Sequence, residues 1–585
     1  MKYRSILGKL VARTAVHVGT GKGGEVTDDL CRLDAEGNYL IPGTAIGGAL
    51  RTIATRLAPR LFGSSCRALQ TENAQLDQSE KSCPCEVCHL FGDFNPSADD
   101  TEEIRGYASR LLVAHAYAAL PENLTPRIRD GVGIDRATRS SASKAAAKFD
   151  LEVLPKGTAL QLRLELEDAN ENDERLLAAT LAEWQAGRCW LGGRVARGLG
   201  AFDLTEIKLV ERDLSTGEGL LNFLREDEPW KAEHADDDWL ASRLIEAQNL
   251  VHRNSIACEF AARSFVKVEF DLIIDGPFLT NDTMASTRSG FDHAPLLDFM
   301  SPTGRPILPG ASLRGALRSQ AEKIARTLTT QDEDVNDAES FGKKCPACDP
   351  MRRREDENEI ADQIPLASCD ALLKNAEEEV PDEHLCLACR LFGNTHRGSR
   401  LIIEDAEADP NTLRKVLDFL AIDRFTGGGK EGAKFDALAL WQPRFRVRMQ
   451  VENPDAWELG WLALVLRDLA EGMFPVGFGG AKGLGRAKIE SFLVNYCFIA
   501  KDDFFGPPEL ANIKPSTGLY RLLIWDTRET DQKQELCQLA QKWVDEFNAT
   551  RRSFKRGSDD LYLKADTYFD DKLEIPKLYP KEAWR

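Results

Sequence analysis

Residues 41–51 read IPGTAIGGALR, and residues 308–318 read LPGASLRGALR. In both stretches a proline and a glycine form a turn, and a run of small and apolar residues typical of a buried helix follows. A similarity that returns after so long an interval indicates a duplicated domain. We therefore expect the chain to contain two copies of one domain.

The length of 585 residues leaves room for two such copies and for further segments. We expect the copies at 1–210 and 264–500, a connector at 211–263 that is first acidic and then helical, and a C-terminal extension at 501–585. The chain has no run of roughly 18 uncharged apolar residues, which a membrane helix needs. The first residues also lack an apolar signal core. We therefore expect a cytoplasmic protein with no membrane partner.

The formal net charge of −19 at first argues against a nucleic-acid partner. The excess of acids, however, lies mainly in residues 211–240 and 331–385, and the rest of the chain is close to neutral. A nucleic-acid groove needs locally clustered bases rather than a basic chain. The composition therefore neither supports nor excludes RNA binding.

Cysteine spacing predicts two zinc sites. The chain has 14 cysteines, and in a reducing compartment cysteines bind metal or remain thiols more often than they form disulfides. A tetrahedral zinc site with four thiolates has no open position for a substrate, so we expect both sites to be structural. The predicted ligands are Cys66, Cys83, Cys85 and Cys88 in the first site, and Cys345, Cys348, Cys386 and Cys389 in the second, with Cys369 left outside.

Each copy also contains a polar hairpin that leads into a strand. Residues 131–139 read GVGIDRATR and are matched by AIDRFTG at 421–427, and AKFD occurs at both 147–150 and 433–436. Apolar residues then alternate with polar ones, which is the period of a half-buried strand. Such a hairpin is commonly a solvated loop, but its occurrence in both copies favours a functional role.

Each copy closes on a basic, glycine-rich loop, which reads WLGGRVARGLG at 190–200 and PVGFGGAKGLG at 475–485. Glycine lets another backbone come close, and a base inside the loop suits a phosphate chain. The alternative is a tight turn between buried elements. The earlier glycine run, GTGKGG at 19–24, lacks P-loop spacing, so we do not expect an NTP site there.

These motifs and their order resemble the RAMP superfamily. Within it they are most similar to the backbone subunits of type III CRISPR effector complexes, of the family-seven CRISPR-associated type, here as a tandem pair. The resemblance covers roughly residues 1–210 and 264–500. It implies an α+β fold of two tandem ferredoxin-like domains, similar to RNA-recognition motifs, with thumb hairpins and zinc-stapled insertions. The implied partners are guide CRISPR RNA, complementary target RNA and other CRISPR effector subunits.

Relatives hold the guide mainly by its backbone, with the central helix, the glycine loop and the thumb, and leave sequence reading to base pairing. The resemblance therefore implies that guide RNA is bound by Arg51, Arg136, Lys148, Arg197, Arg318, Arg424, Lys434 and Lys482.

In several relatives an aspartate in the loop before the central helix is needed to cleave target RNA with a divalent metal, Mg²⁺ or Mn²⁺. The resemblance implies Asp292 for this role in the second copy, where a proline also lies nearby. In the first copy Asp28 and Asp29 both fit, and the choice between them stays open. His293 could assist as a base, although a histidine in a polar loop is more often simply solvated.

The implied function is that of a guide-binding backbone subunit that is also a metal-dependent endoribonuclease and cleaves target RNA at regular intervals in antiviral defence. Two alternatives stay open, a structural RNA-binding subunit with inactive acids and an endoribonuclease that processes CRISPR repeats. The zinc groups and the duplicated hairpins disfavour repeat processing. The fold hosts all three functions and does not decide between them.

Overall fold

The computed structural model describes residues 2–23, 27–66, 83–94, 106–136, 139–142, 148–230, 235–298, 304–336, 338–351, 366, 368–373, 382–506, 513–515 and 518–555. None of the helices in these ranges is long and apolar enough to span a membrane.

The first copy is a mixed α+β unit. Its helices are Gly43–Phe62 (α1), Glu86–Phe91 (α2) and Glu171–Gln185 (α3). Its strands are Lys2–Ala12 (β1), Leu40–Ile41 (β2), Asp93–Phe94 (β3), Gly106–Tyr107 (β4), Leu111–Val113 (β5), Ala116–Ala119 (β6), Arg127–Val132 (β7), Lys148–Val153 (β8), Ala159–Leu166 (β9), Cys189–Trp190 (β10) and Ala201–Asp213 (β11).

The main sheet of this copy is antiparallel, with β1 between β11 and β9, and with β5 and β6 beside β9. Along the chain the main elements follow the order β1-α1-β5-β9-α3-β11. This is the β-α-β-β-α-β order of a ferredoxin-like domain. On β9, Leu160, Leu162 and Leu164 alternate inwards with more exposed residues, as the period-two pattern predicts. Helices α1 and α3 cover the apolar face and pack on each other.

Two helices, Gly217–Arg225 (α4) and Trp239–Leu250 (α5), lie between the copies. Helix α5 packs on α3 and α1, so this part of the connector belongs to the core of the first copy.

The second copy repeats the arrangement. Its helices are Thr283–Ser289 (α6), Gly310–Thr329 (α7), Ala338–Lys344 (α8), Cys369–Leu372 (α9), Leu387–Phe392 (α10) and Ala456–Ala470 (α11). Its strands are Ser264–Ile274 (β12), Pro277–Phe278 (β13), Ile307–Leu308 (β14), Leu401–Ile403 (β15), Ala406–Glu407 (β16), Leu413–Ile422 (β17), Gly429–Trp441 (β18), Arg444–Glu452 (β19) and Ala487–Phe498 (β20). The order β15-β19-β12-β20 matches β5-β9-β1-β11, and both copies are therefore ferredoxin-like.

The C-terminal part extends this second sheet. Strands Lys514–Pro515 (β21) and Arg521–Asp526 (β22) add to its β20 edge, and the helix Thr530–Ser553 (α12) packs on α11.

The predicted hairpins form ribbons separate from the main sheets. In the first copy β7 pairs with β8, and in the second the longer β17 pairs with β18. The β7–β8 ribbon lies against the second copy, where Arg129 pairs with Asp405 at 2.6 Å and Arg127 pairs with Asp282. The tip of the β17–β18 ribbon is exposed, with Phe425 fully so.

A buried ion pair joins α1 to the residues after β20. The guanidinium of Arg60 donates two hydrogen bonds of 2.8 Å to Asp503, and further bonds to the carbonyl groups of Ala262 and Asn254. Both charged side chains are almost fully buried. Such a pair is costly to break, because the remaining charge stays buried without its partner.

We expect Asp503→Asn to lower the free energy of unfolding by about 3 kcal/mol, because it leaves the Arg60 charge buried and uncompensated. Urea unfolding followed by tryptophan fluorescence measures the change. The neighbouring exposed Asp502 provides the control, since Asp502→Asn should alter stability by less than about 0.5 kcal/mol. Equal stability of both variants would contradict a role for the ion pair.

Candidate functional site

The two copies meet where the glycine loop of the first covers the start of α7 in the second. A Cβ atom on Gly310 would lie 2.1 Å from the carbonyl oxygen of Ile403 and 2.9 Å from the Cα of Gly198. Gly198 also has a φ of 96°, which disfavours any other residue. The Gly310 amide donates to Asp405 at 2.9 Å. Main chain therefore packs on main chain at this contact.

This contact brings together guanidinium groups from both copies. Arg197 of the loop lies beside Arg314 and Arg318 of α7. Burial and the two neighbouring cations lower the pKa of Arg314 to about 9, and its buried Nε has no hydrogen-bond partner among the described residues. Partial burial, Arg194 and Arg318 likewise lower the pKa of Arg197. These closely spaced guanidinium groups suit a bound phosphate, which would supply negative charge.

The two predicted residues on the central helices point towards the cysteine groups. Arg51 donates to the sulfur of Cys88 at 3.4 Å, and Arg318 donates to that of Cys389 at 3.5 Å. Arg318 also donates to Glu322 and to the carbonyl of Gly393, so each of its nitrogens has a protein partner. Arg314, one turn earlier, faces the loop instead and was missed in the sequence. Its spacing of four residues from Arg318 places both on one helix face and could have revealed it.

In each copy the glycine loop lies against the hairpin ribbon that was predicted as the thumb, which is β7–β8 in the first copy and β17–β18 in the second. In the first copy Arg194 lies 4.4 Å and Arg197 lies 5.7 Å from the ring centre of Phe149. In the second, Lys482 lies 5.1 Å from the ring of Phe435. Each phenylalanine belongs to the repeated AKFD motif. A basic side chain therefore lies next to an aromatic ring in both copies. This combination suits a nucleotide chain, because the cation can contact phosphate and the ring can stack on a nucleobase.

The thumb cations differ in their surroundings. Arg136 pairs with Glu322 of α7 at 2.8 Å. Burial alone would raise the pKa of Glu322, but Arg136, Arg318 and Arg326 lower it. Arg136 thus ties the first thumb to the second copy. Lys148, Arg424 and Lys434 are exposed, and Lys434 pairs with Asp418 at 3.2 Å.

Backbone hydrogen bonds establish the register of the predicted acids. Asp28 accepts the amide of Asp150 at 2.8 Å, and Asp292 accepts that of Asp436 at 2.9 Å. Asp150 and Asp436 are the last residues of the repeated AKFD motif. Asp28 is therefore the counterpart of Asp292, and both carboxylates are exposed.

Asp29 has different surroundings. Its carboxylate lies 3.0 Å from Nε2 of the buried His17, whose Nδ1 lies 2.7 Å from the carbonyl oxygen of Glu152. In the second copy His293 occupies the position of Asp29, because both residues accept a backbone hydrogen bond from β8 or β18 at matching places. The ring of His293 packs against Phe435 and Phe478, and its Nδ1 is buried without a partner in the described part of the chain.

Further carboxylates lie close to Asp28 and Asp292. Burial, followed by Asp130 and Asp28, raises the pKa of Asp150, and the Oδ1 of Asp150 is buried without a described hydrogen-bond partner. An orphaned carboxylate oxygen beside an exposed acid suits a divalent cation. In the second copy Asp292 and His293 line a pocket of about 410 Å³, together with residues of α6.

The first predicted zinc group is assembled in the structure. The sulfurs of Cys66, Cys83, Cys85 and Cys88 all lie within 4.8 Å of one another. The Cys66 sulfur lies 3.3 Å from that of Cys88 and 3.5 Å from that of Cys85. These separations are close to the roughly 3.8 Å expected between sulfurs around tetrahedral zinc. The group could therefore hold a zinc ion.

The second group differs from the prediction by one ligand. Its sulfurs are those of Cys348, Cys369, Cys386 and Cys389, which are all buried and lie within 4.8 Å of one another. The structure therefore places Cys369, which the spacing left outside, in this group instead of the predicted Cys345. The Cys345 sulfur instead donates to the carbonyl of Ala347 at 3.4 Å, directly after α8 ends. Cys369 opens α9, and its sulfur accepts the amide of Cys386 at 3.5 Å.

Comparison with protein-family models gives a match that covers both copies. The family model described as the RAMP superfamily matches residues 9–203 and 295–488, which is more than half of the chain. The two matched segments fall on the two ferredoxin-like copies. No curated protein matches the chain.

The cysteine geometry predicts the metal content of single variants. The purified chain should carry two zinc ions, and Cys369→Ser should reduce this to one because it removes a ligand from the second group. Cys345→Ser is the matched control and should keep both ions. Elemental analysis by mass spectrometry gives the stoichiometry. Loss of zinc in the Cys345 variant, with retention in the Cys369 variant, would restore the ligand set predicted from spacing.

Proposed function

The chain belongs to the RAMP superfamily, and from this we propose that it is a tandem backbone subunit of a type III CRISPR effector complex. The family as a whole supports a CRISPR-associated RNA-binding subunit, with CRISPR RNA and effector subunits as partners. Guide RNA would run along the two copies, and complementary target RNA would pair with it. Cleavage of the target in the cytoplasm would serve antiviral defence.

The observation that carries guide binding is the cation cluster where the copies meet. Arg197 and Arg314 pair with no acid among the described residues, so a phosphate would supply the missing negative charge. A basic side chain lies beside Phe149 in the first copy and beside Phe435 in the second, so each copy offers a similar surface for a nucleotide. Contacts of this kind are made to phosphate and to any base face, which suits a guide of any sequence.

Two surfaces equivalent to those of the internal interface support further subunits as partners. They are the glycine loop of the second copy and the start of α1 in the first. Gly483 corresponds to Gly198, yet nothing described lies within 4 Å of a Cβ built on it. Gly43 corresponds to Gly310, and the atoms nearest to a Cβ built on it belong to Val113 and Ala114 of its own copy. Among the described residues, the contact that Gly198 and Gly310 make between the copies is therefore not repeated at Gly483 or at Gly43, so both places could receive a further subunit.

We assign target cleavage to Asp28 and Asp292. Each is exposed, and each carboxylate is held by one oxygen through a backbone amide, so the other oxygen can take a ligand. A divalent ion there would promote attack by a 2′-hydroxyl and offset charge on the phosphorane. Asp150 fits the same cation through its orphaned oxygen. The pocket next to Asp292 offers space for a nucleotide turned out of the duplex.

We expect Arg314→Gln to weaken guide RNA binding about tenfold, because it removes one charge-assisted contact to phosphate. Arg197→Gln should have a similar effect, and each change should lower the salt dependence of binding. Arg212→Gln removes a partly exposed charge paired with Glu226, and provides the control. Filter binding across a salt series measures all three. Parent-like affinity of both loop and helix variants would contradict the proposed phosphate site.

Cleavage is tested in the complex assembled with its guide and a labelled complementary RNA. Asp28→Asn and Asp292→Asn should each remove a different product band, with a loss of rate of about 100-fold or more. EDTA should abolish both bands. Asp29→Asn should reduce the first band less than Asp28→Asn does, because Asp29 bonds to His17. A ladder unchanged in every variant, with guide binding intact, would favour the structural subunit with inactive acids.

A further inference from the structure

A basic pocket, separate from the pocket beside Asp292, lies outside the segments that match the family. It has a volume of about 320 Å³ and is lined by residues of α5, of the loop after it and of the C-terminal extension. Its polar lining includes Arg253, Lys514 and Arg521, together with Gln248 and Tyr520. This size is at the lower end of the range of small-ligand sites.

The cations in this pocket are not neutralised. No carboxylate is among its described lining residues, and Arg253, Lys514 and Arg521 form no ion pair within the described part of the chain. Burial, Arg521 and Arg60 lower the pKa of Arg253. One carboxylate lies behind the lining residue Gly518: Glu183 pairs with Arg188 through Oε2, and its buried Oε1 would lie 3.1 Å from a Cβ on Gly518.

The pocket is also pre-formed. Arg253 donates through Nη1 to the carbonyl oxygens of Leu519 at 2.8 Å and Ile499 at 3.1 Å. Gln248 donates to the carbonyl of Gly518 at 2.8 Å. The guanidinium is thus held in place by main chain through Nη1, and its Nε and Nη2 form no hydrogen bond within the described residues. A held cation loses little freedom when it binds.

The position separates this pocket from the cation cluster between the copies. The start of α7 contacts β15, whereas the pocket lies at β21 and β22, on the opposite edge of the same sheet. Five strand spacings of about 4.8 Å put the two edges roughly 24 Å apart. One phosphate group cannot occupy both places.

We propose that this pocket is a second anion site, which binds a phosphate group. Two guanidinium groups and an ammonium around one small cavity match the charge and the fork geometry that phosphate recognition uses. The phosphate comes either from a free nucleotide or from an RNA strand that passes outside the main groove. The proposal does not depend on the chain binding a guide.

The test uses the full chain and a Lys514→Gln/Arg521→Gln variant, which keeps the Arg253 contacts to main chain. The first probe is AMP in calorimetric titration, with adenosine as the phosphate-free comparison. The second is an unstructured single-stranded RNA, titrated across a salt series. Arg528→Gln is the control, because it removes an exposed charge of the extension that pairs with Asp526. Circular dichroism checks that each variant is folded.

A free nucleotide is the ligand if AMP binds, adenosine does not, and the double variant weakens AMP at least tenfold. An RNA strand is the ligand if AMP fails to bind but the double variant lowers the salt slope of RNA binding by roughly 1.4, as expected for two lost phosphate contacts. The proposal is overturned if the double variant and the Arg528 control both behave as the parent with each probe.

Discussion

The contact between Gly198 and Gly310 is the constraint on which the arrangement of the two copies depends. No side chain fits at either position, because a Cβ on Gly310 would lie 2.1 Å from the Ile403 carbonyl oxygen, and one on Gly198 would lie 2.6 Å from Asp405. Since the contact joins main chains, it fixes the glycine loop over the first turn of α7. Arg197 and Arg314 come together only as a consequence. The cation cluster is therefore a property of the packed pair of copies and of neither copy alone.

Charge makes this internal contact specific. Asp405 accepts the amide of Gly310 and also pairs with Arg129 of the first thumb. In the first copy His115 accepts the corresponding amide of Gly43 at 3.0 Å, so no carboxylate stands there. The counterpart of Arg129 in the second thumb is Leu417, since these residues face Leu151 and Ala437 in matching registers. The Arg129–Asp405 pair between the copies thus has no counterpart at the equivalent positions, where His115 and Leu417 stand, so the internal interface differs chemically from those outer surfaces.

Repeated motifs allowed much of this architecture to be predicted. A proline followed by glycine and small residues specifies the start of a packed helix locally, and a Gly-Leu-Gly loop specifies its own turn, so both were visible without three-dimensional information. Cys369 was missed for the opposite reason. It is separated from Cys386 by an insert, and only the folded chain brings their sulfurs together, while the regular spacing favoured Cys345. The pocket around Arg253 was likewise hidden, because its cations come from segments far apart in the chain.

The register of the catalytic candidates shows why residue type alone left Asp28 and Asp29 undecided. Both are acids, and what distinguishes them is the main-chain amide of Asp150, which only Asp28 accepts through its side chain. The neighbouring position is filled differently in each copy. Asp29 bonds to His17 in the first, whereas His293 replaces Asp29 in the second and Leu279 replaces His17, as the contacts of Gly192 and Gly477 with their carbonyls show. Because main-chain hydrogen bonds hold this loop, the neighbouring side chains can differ between the copies while Asp28 and Asp292 keep equivalent positions.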